Sequence, residues 1–192
     1  MGTLVVSENV TLDGVMQDPT GDDGFARGGW FRQMTDEDRK AWAEVECDEA
    51  LRAEALLVGR RSYDFLVDRW PGRTGPWADR LNTMPKYVVS STLADPAWGN
   101  TTVLTGDAVA AVSTLKQRLD GEIVLNASGQ LARTLIEHDL VDELRLMVYP
   151  FVLGAGDRLF PPTSAAVAMR LVDIGTVGAG LALLTYARAR VG

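Results

Sequence analysis

Apolar positions along the chain fall into short runs, separated by stretches with helical spacing. Residues 3–7 (TLVVS), 55–58 (ALLV), 86–90 (KYVVS), 122–126 (EIVLN) and 143–149 (ELRLMVY) read as strands. Their near-continuous apolarity predicts burial on both faces. Residues 168–174 and 180–188 (GLALLTYAR) add two more, with Gly175 to Gly180 as a hairpin connection. Residues 36–53 predict a helix with Asp36 at the N-cap, 62–69 a second and 77–83 a short third. Residues 107–118 open on Asp107 as a cap and set Val109, Val112 and Leu115/Leu119 along one face. Residues 129–138 complete a strand–turn–helix unit that begins at Glu122. Alternating strands and helices followed by an antiparallel pair predict an α/β fold: a mixed, mostly parallel sheet with helices on both faces. No linker, repeat or low-complexity tract interrupts the pattern, so 1–192 is expected to be a single domain. The Gly- and Asp-rich stretch 17–29 (QDPTGDDGFARGG) is the longest loop, of a length at which loops serve as functional lids or stay disordered.

Composition narrows the function. The 192 residues are 46% hydrophobic, enough for a sizeable core without disulfides or metals. The balance of 19 basic and 26 acidic residues gives −7, which argues against an electrostatic grip on nucleic acid or anionic lipid. No apolar run approaches the roughly 20 residues that span a bilayer, and the opening MGTLVVSENV does not read as a signal peptide. The one cysteine, Cys47, favours a reducing compartment, so the cytoplasm is expected. One His and one Cys do not make a typical zinc site, so no metal is expected. A Ser-His-Asp triad would need His138, which lies near a helix end, and there is no GxSxG elbow. Cys47, between Glu46 and Asp48, has acidic neighbours that work against a thiolate. An enzyme so equipped draws its hard chemistry from a bound organic cofactor.

Three strand ends are suited to hold one. In ALLVGRRSY (55–63) a buried strand runs through Gly59 into Arg60, Arg61 and Ser62 at a helix start. Unpaired amides and the positive dipole end make such a start an anion site, and arginines add charge-assisted bonds to phosphate; solvated surface arginines are the plain alternative. In EIVLNASGQLARTL (122–135) the turn Ala127-Ser128-Gly129 leads into a helix, where small side chains permit a backbone cradle for a pyrophosphate. It is neither a Walker loop nor a GxGxxG fingerprint, and a tight connection with a serine cap would look the same. In KYVVSSTL (86–93) the strand ends in Ser90, Ser91 and Thr92, whose hydroxyls suit ribose or phosphate or merely solvate the end. Open α/β sheets place ligands at the carboxyl ends of their strands, so the joint occurrence carries more than any one piece.

Taken in order, the residues resemble the dihydrofolate reductase-like fold, and within it the reductase domain of the riboflavin-biosynthesis deaminase/reductase, the RibD C-terminal domain. The likeness spans nearly the whole chain: TLDG (11–14), VGRRSY (58–63), PKYVVSSTL (85–93), ASGQLARTL (127–135), LVDELRL (140–146) and PFVLGAGDRLF (150–160). With no sign of a deaminase domain, the chain looks like a stand-alone member. The resemblance implies NADPH binding and a homodimer. It implies that Gly59–Ser62 holds cofactor phosphates with Arg60 or Arg61 near the 2′-phosphate. It further puts Ser90, Ser91 and Thr92 beside the adenosine ribose phosphate, and Ala127, Ser128, Gly129, Gln130 and Leu131 around the pyrophosphate. Two departures stand out: a glycine is more usual where Ala127 stands, and Gln130 occupies a place that is basic in some dihydrofolate reductases.

The substrate side is less marked. An acid on the first helix is expected from the resemblance, but Asp36, Glu37, Asp38, Glu44, Glu46, Asp48 and Glu49 crowd that segment. Asp13 in the TLDG turn is the candidate polar substrate contact and proton source, with a self-bonded turn residue as the equal alternative. Trp30 and Phe31 offer an aromatic wall over a nicotinamide or substrate ring, or a core anchor. Gly154-Ala155-Gly156 reads as a sharp turn near the cleft, with a contact to substrate as the expectation. The expectation is an NADPH-dependent reductase of a small heterocyclic (pterin- or pyrimidine-like) or carbonyl substrate. The second reading is an NADPH-binding protein of the same fold that acts by interaction, without turnover.

Overall fold

A computed structural model describes residues 1–160 and 166–189. Eight strands form one sheet: β1 (Thr3–Thr11), β2 (Ala55–Gly59), β3 (Lys86–Val89), β4 (Thr101–Leu104), β5 (Glu122–Asn126), β6 (Glu143–Tyr149), β7 (Met169–Val177) and β8 (Leu181–Arg188), in the order β4-β3-β2-β5-β1-β6-β8-β7. The first six are mutually parallel; β8 runs antiparallel to β6, and β7 to β8. The helices are α1 (Asp36–Arg52), α2 (Arg60–Val67), α3 (Pro76–Thr83), α4 (Ala108–Arg118) and α5 (Gly129–Glu137), with a 3₁₀ turn over Trp30–Gln33.

Burial on both faces explains why the central strands are continuous apolar runs. Val6, Leu57, Leu125 and Leu144 pack under α4 and α5 through Val112, Leu115, Leu131 and Leu135. Val5, Leu56, Val58 and Val124 pack under α1, α2 and α3 through Ala50, Tyr63 and Leu81. The alternating strands and helices of the sequence thus become a layered α/β fold with helices on both faces.

Several boundaries differ from the sequence reading, each for a local reason. Thr35, not Asp36, caps α1, its hydroxyl accepting from the Asp38 amide at 3.1 Å. Asp107 caps α4 as read, accepting from the Ala110 amide at 2.7 Å. Helix α2 begins two residues early, at Arg60, with Gly59 as its cap residue. The short strand β4 went unread: it is four residues long and hydrogen-bonds only to β3. Strand β7 runs on through Gly175 to Val177 with a bulge at Val172, leaving only Gly178–Gly180 for the turn. The 17–29 stretch is a pinned loop: the buried Asp18 carboxylate accepts from the Asp23 and Phe25 amides at 3.1 and 3.0 Å. Asp22 then pairs with Arg32 and Arg69. Among the described residues, no helix is long and apolar enough to cross a membrane.

Candidate active site

Sheet order decides where the three strand ends lie. Strands β3, β2 and β5 are adjacent and parallel, so Ser90–Thr92, Gly59–Ser62 and Ala127–Leu131 line one edge of the sheet side by side. The two helix starts are stitched together. The Gly59 amide donates to Ser128 Oγ at 2.9 Å, Ser128 Oγ donates to Ser62 Oγ at 2.9 Å, and Ser62 Oγ donates to the Ala127 carbonyl at 2.5 Å. Asn126 O, also 2.9 Å from Ser128 Oγ, is an alternative acceptor. Ser62 and Ser128 are buried, and their hydroxyls hold the two turns against each other rather than cap their own helices. Arg60 ties in the third strand end: its guanidinium grips Asp64 at 2.8 Å and reaches Thr92 Oγ1 at 3.4 Å. The Ser90 hydroxyl accepts from the Thr92 and Leu93 amides at 3.2 and 3.1 Å, shaping that turn.

Other groups on this edge remain available. Arg61 is largely exposed, 3.8 Å from Asp23, and Ser91, Thr92 and Gln130 are exposed. Leu131 sends its side chain into the core, so only its backbone faces the helix start. The amides of Gly129, Gln130 and Leu131 belong to the first turn of α5, which has no partners within the helix. Gly59 has an ordinary extended φ of −80°, and a Cβ there would meet Ser128 at an unstrained 3.7 Å. Among the described residues nothing therefore requires a glycine at 59, whereas an anion seated against its backbone would. Gly129 is different, since a Cβ there would lie 2.3 Å from Met16 Sδ. The residues present fit a phosphate-bearing dinucleotide: small turns, first-turn amides and flanking arginines.

Next to this edge the sheet splits. Strand β1 pairs with β5 only as far as Ser7, opposite Asn126, but continues along β6 to Thr11, opposite Tyr149. Residues 8–11 thus have no strand partner on the β5 side.

Asp13 is committed to hydrogen bonds within its own loops. Its carboxylate accepts from Thr11 Oγ1 at 2.7 Å and from the Leu153 and Gly154 amides at 3.1 and 2.8 Å. The Thr11 hydroxyl foremost, then those amides, hold its pKa down to about 2. It clasps the 11–14 turn to the Gly154–Gly156 loop, which folds back on Val15 and Phe25. Trp30 is likewise a core anchor and not a cleft wall. It is wholly buried, edge-on to Phe31 and Tyr149 at 4.9 and 4.8 Å, with its indole N–H on the Gln17 carbonyl. The half-buried Phe31 stacks on Tyr149 at 5.1 Å.

The RibD C-terminal domain model matches residues 3–183. The chain belongs to the RibD C-terminal domain family. It is 28% identical over 139 residues to the uncharacterized protein YyaP of Bacillus subtilis (strain 168), covering 69% of this chain and 73% of YyaP. A protein from Shewanella sp. PV-4 assigned to riboflavin biosynthesis superposes with a TM-score of 0.75 at 21% identity, over 98% of this chain and 99% of that one. The dihydrofolate reductase of Enterococcus faecalis, solved with NADP(H), superposes with a TM-score of 0.63 at 18% identity, over 98% of each chain. These likenesses identify a reductase fold.

In this RibD C-terminal domain two acids stand out: Glu46, one of the seven candidates of the first helix, and Glu8, which the sequence reading did not name. Glu46 is the half-buried acid of the first helix that lies beside Asn9 and Trp42: burial, then the neighbouring Glu49, raises its pKa, with Asn9 and Trp42 offsetting part of the rise. Of its competitors, Asp38 clasps the β7–β8 turn by accepting from the Ala179 and Gly180 amides, and Glu49 pairs with Arg145 at 3.0 Å. The second is Glu8, only 3% exposed on β1. Its Oε1 accepts from the Ser128 amide at 3.0 Å, and burial pushes its pKa up to about 8. Glu8 lies just past the strand read over residues 3–7, which runs on to Thr11 in the fold, so its burial carried no sequence signal. Ala127 has φ +52°, in the left-handed region that glycine adopts without strain.

Proposed function

We propose that this chain is an NADPH-dependent reductase of a small heterocycle or carbonyl compound. The observation that carries the reading is the alignment of three parallel strand ends on one edge, two of them joined by the Gly59–Ser128–Ser62–Ala127 chain of hydrogen bonds. The first-turn amides of α5 and the Ala127–Gly129 turn would hold the pyrophosphate. Arg60 and Arg61 would meet the 2′-phosphate, with Ser91 and Thr92 alongside. Reduced nicotinamide, when bound, supplies hydride. The chain's own residues would supply orientation and exclusion of water where β1 parts from β5, and Glu46 would offer a carboxyl to a substrate N–H.

A small-molecule substrate, with neither nucleic acid nor membrane as partner, accords with the net charge of −7. A cytoplasmic setting accords with the single Cys47. A homodimer would cover the edge strand β7, where Leu171, Val172 and Ile174 are exposed.

Fluorescence titration with NADPH and NADH tests the reading. The wild-type chain should bind NADPH more tightly, and the double variant Arg60→Ala/Arg61→Ala should lose at least tenfold for NADPH with little change for NADH. A wild-type chain that saturates with neither nucleotide refutes it. Saturation without oxidation of NADPH against dihydrofolate, pyrimidine and simple carbonyl probes would instead favour a binding module.

A further inference from the structure

On the face of the sheet opposite α5, helix α1 leaves a gap beside Glu46. A cavity of about 30 Å³ lies there between α1, β1, β6 and β8, and its polar lining is Ser7, Glu46, Glu49, Arg52 and Arg145. A space of roughly 10–15 Å³ suffices for a water when polar groups surround it. Ser7, the last residue of β1 to pair with β5, is only 8% exposed. Its hydroxyl bonds to no described residue and opens on the cavity. Glu49 gives one oxygen to Arg145 at 3.0 Å, and the same guanidinium grips Glu122 and Glu143. Ser7 and Asn9, two apart on β1, share a face. The Asn9 side-chain oxygen accepts from the Trp42 indole and the Tyr149 hydroxyl, at 3.0 Å each, which leaves its amide nitrogen to Glu46. Glu46 thus meets Asn9 at one end and the cavity at the other.

We propose that this cavity is a water site serving Glu46, with Ser7 as the residue that positions the water. The water accepts from the Ser7 hydroxyl and donates to the Glu46 carboxylate, and it meets bulk solvent past the exposed Arg52. When Glu46 ionises, its proton passes to the water, which hands one on to solvent. The carboxylate then keeps the water's O–H as a hydrogen-bond donor. The titratable and charged groups around Glu46 are Glu49 and Arg52 on α1, Glu8 on β1, and Arg145 and Tyr149 on β6. Through this route Glu46 changes charge while a substrate covers its Asn9 side, a use that rests on the reductase reading above.

A high-resolution crystal structure and an NMR titration of glutamate side-chain carboxyls test this without a substrate, the Glu46 signal being the one missing from Glu46→Gln. In the wild type a water should lie within hydrogen-bond distance of Ser7 Oγ and the Glu46 carboxyl. Ser7→Ala removes one anchor of that water and should lower the Glu46 ionisation constant about threefold. Ser7→Val, which also fills the cavity, should exclude the water and lower the constant about tenfold. Absence of the water from the wild-type structure overturns the proposal. So does either variant, once folded, that titrates like the wild type. NADPH binding is the separate readout. A wild-type chain that binds none refutes the reductase reading and leaves the water site standing, whereas normal binding with an unshifted Glu46 in both Ser7 variants refutes the water site alone.

Discussion

At the scale of single residues, Ala127 carries the sharpest test. A non-glycine residue in the left-handed region costs about 1–2 kcal/mol, and glycine gives back roughly 0.5–1 kcal/mol through its freer unfolded chain. Ala127→Gly, at φ +52° and exposed, should therefore stabilise the fold by about 0.5–1 kcal/mol in urea denaturation. A loss of stability would mean that the methyl packs against something. Ser62→Ala should act in the opposite sense: it leaves the Ala127 carbonyl and Ser128 hydroxyl short of a partner, at about 1–3 kcal/mol. These residues show where sequence reading reaches its limit. The small and hydroxylated character of the turns was legible, because turn chemistry is local. That Ser62 and Ser128 spend their hydroxyls on each other was not, since they are 66 positions apart and meet only through the sheet order. The hydrogen bonds of Asp13 were hidden for a related reason. Its partners Leu153 and Gly154 are 140 and 141 positions away, and nothing in TLDG announces them.

At the scale of elements, strands and helices with strong local patterns were legible nearly to their ends, as β5 and α4 show. What escaped were features set by neighbours: β4, held on one side only, and the inward acid of α1, chosen by how that helix is docked. The docking is visible in Asp38. Its carboxylate takes the Ala179 and Gly180 amides at 2.7 and 3.0 Å and so ties the start of α1 to the β7–β8 turn. Gly178 sits against that clasp with φ +61°, and a Cβ there would lie 2.8 Å from the Asp38 Cα. Gly178→Ala should therefore lower the melting temperature by several degrees and weaken substrate binding more than cofactor binding, because α1 carries Glu46 and not the phosphate turns. Equal losses for both ligands would refute that division. Lys86 is a second fastener. It is buried, its Nζ donates to the Leu81 and Met84 carbonyls at 2.7 and 2.9 Å, and it lies 4.7 Å from the Trp98 ring. Lys86→Met should cost about 2–3 kcal/mol in urea unfolding by orphaning the end of α3.

The whole molecule integrates these groups in its response to pH. Glu8 keeps its proton up to about pH 8 in the native protein, whereas the unfolded chain releases it near the ordinary value of 4.5. Between those values the native state binds more protons than the unfolded one, so stability falls as pH rises through the window. Burial raises Glu46 as well, which adds to the same slope. Asp13 works in the opposite sense. Its hydrogen bonds lower its pKa from 3.8 to about 2, so its contribution is present above that window and is lost on acidification through it. Asp38 and Glu122, lowered chiefly by Thr35 and Arg145, act in the same direction as Asp13. Maximum stability should therefore fall on the acid side of neutrality, near pH 5. From there to pH 8 the unfolding free energy in urea should drop by a few kcal/mol. Glu8→Gln should flatten much of that slope, being neutral throughout and still able to accept from Ser128. A wild-type profile that is level or rising between pH 5 and 8, or one that Glu8→Gln leaves unchanged, would show that the carboxyl is already ionised in the fold.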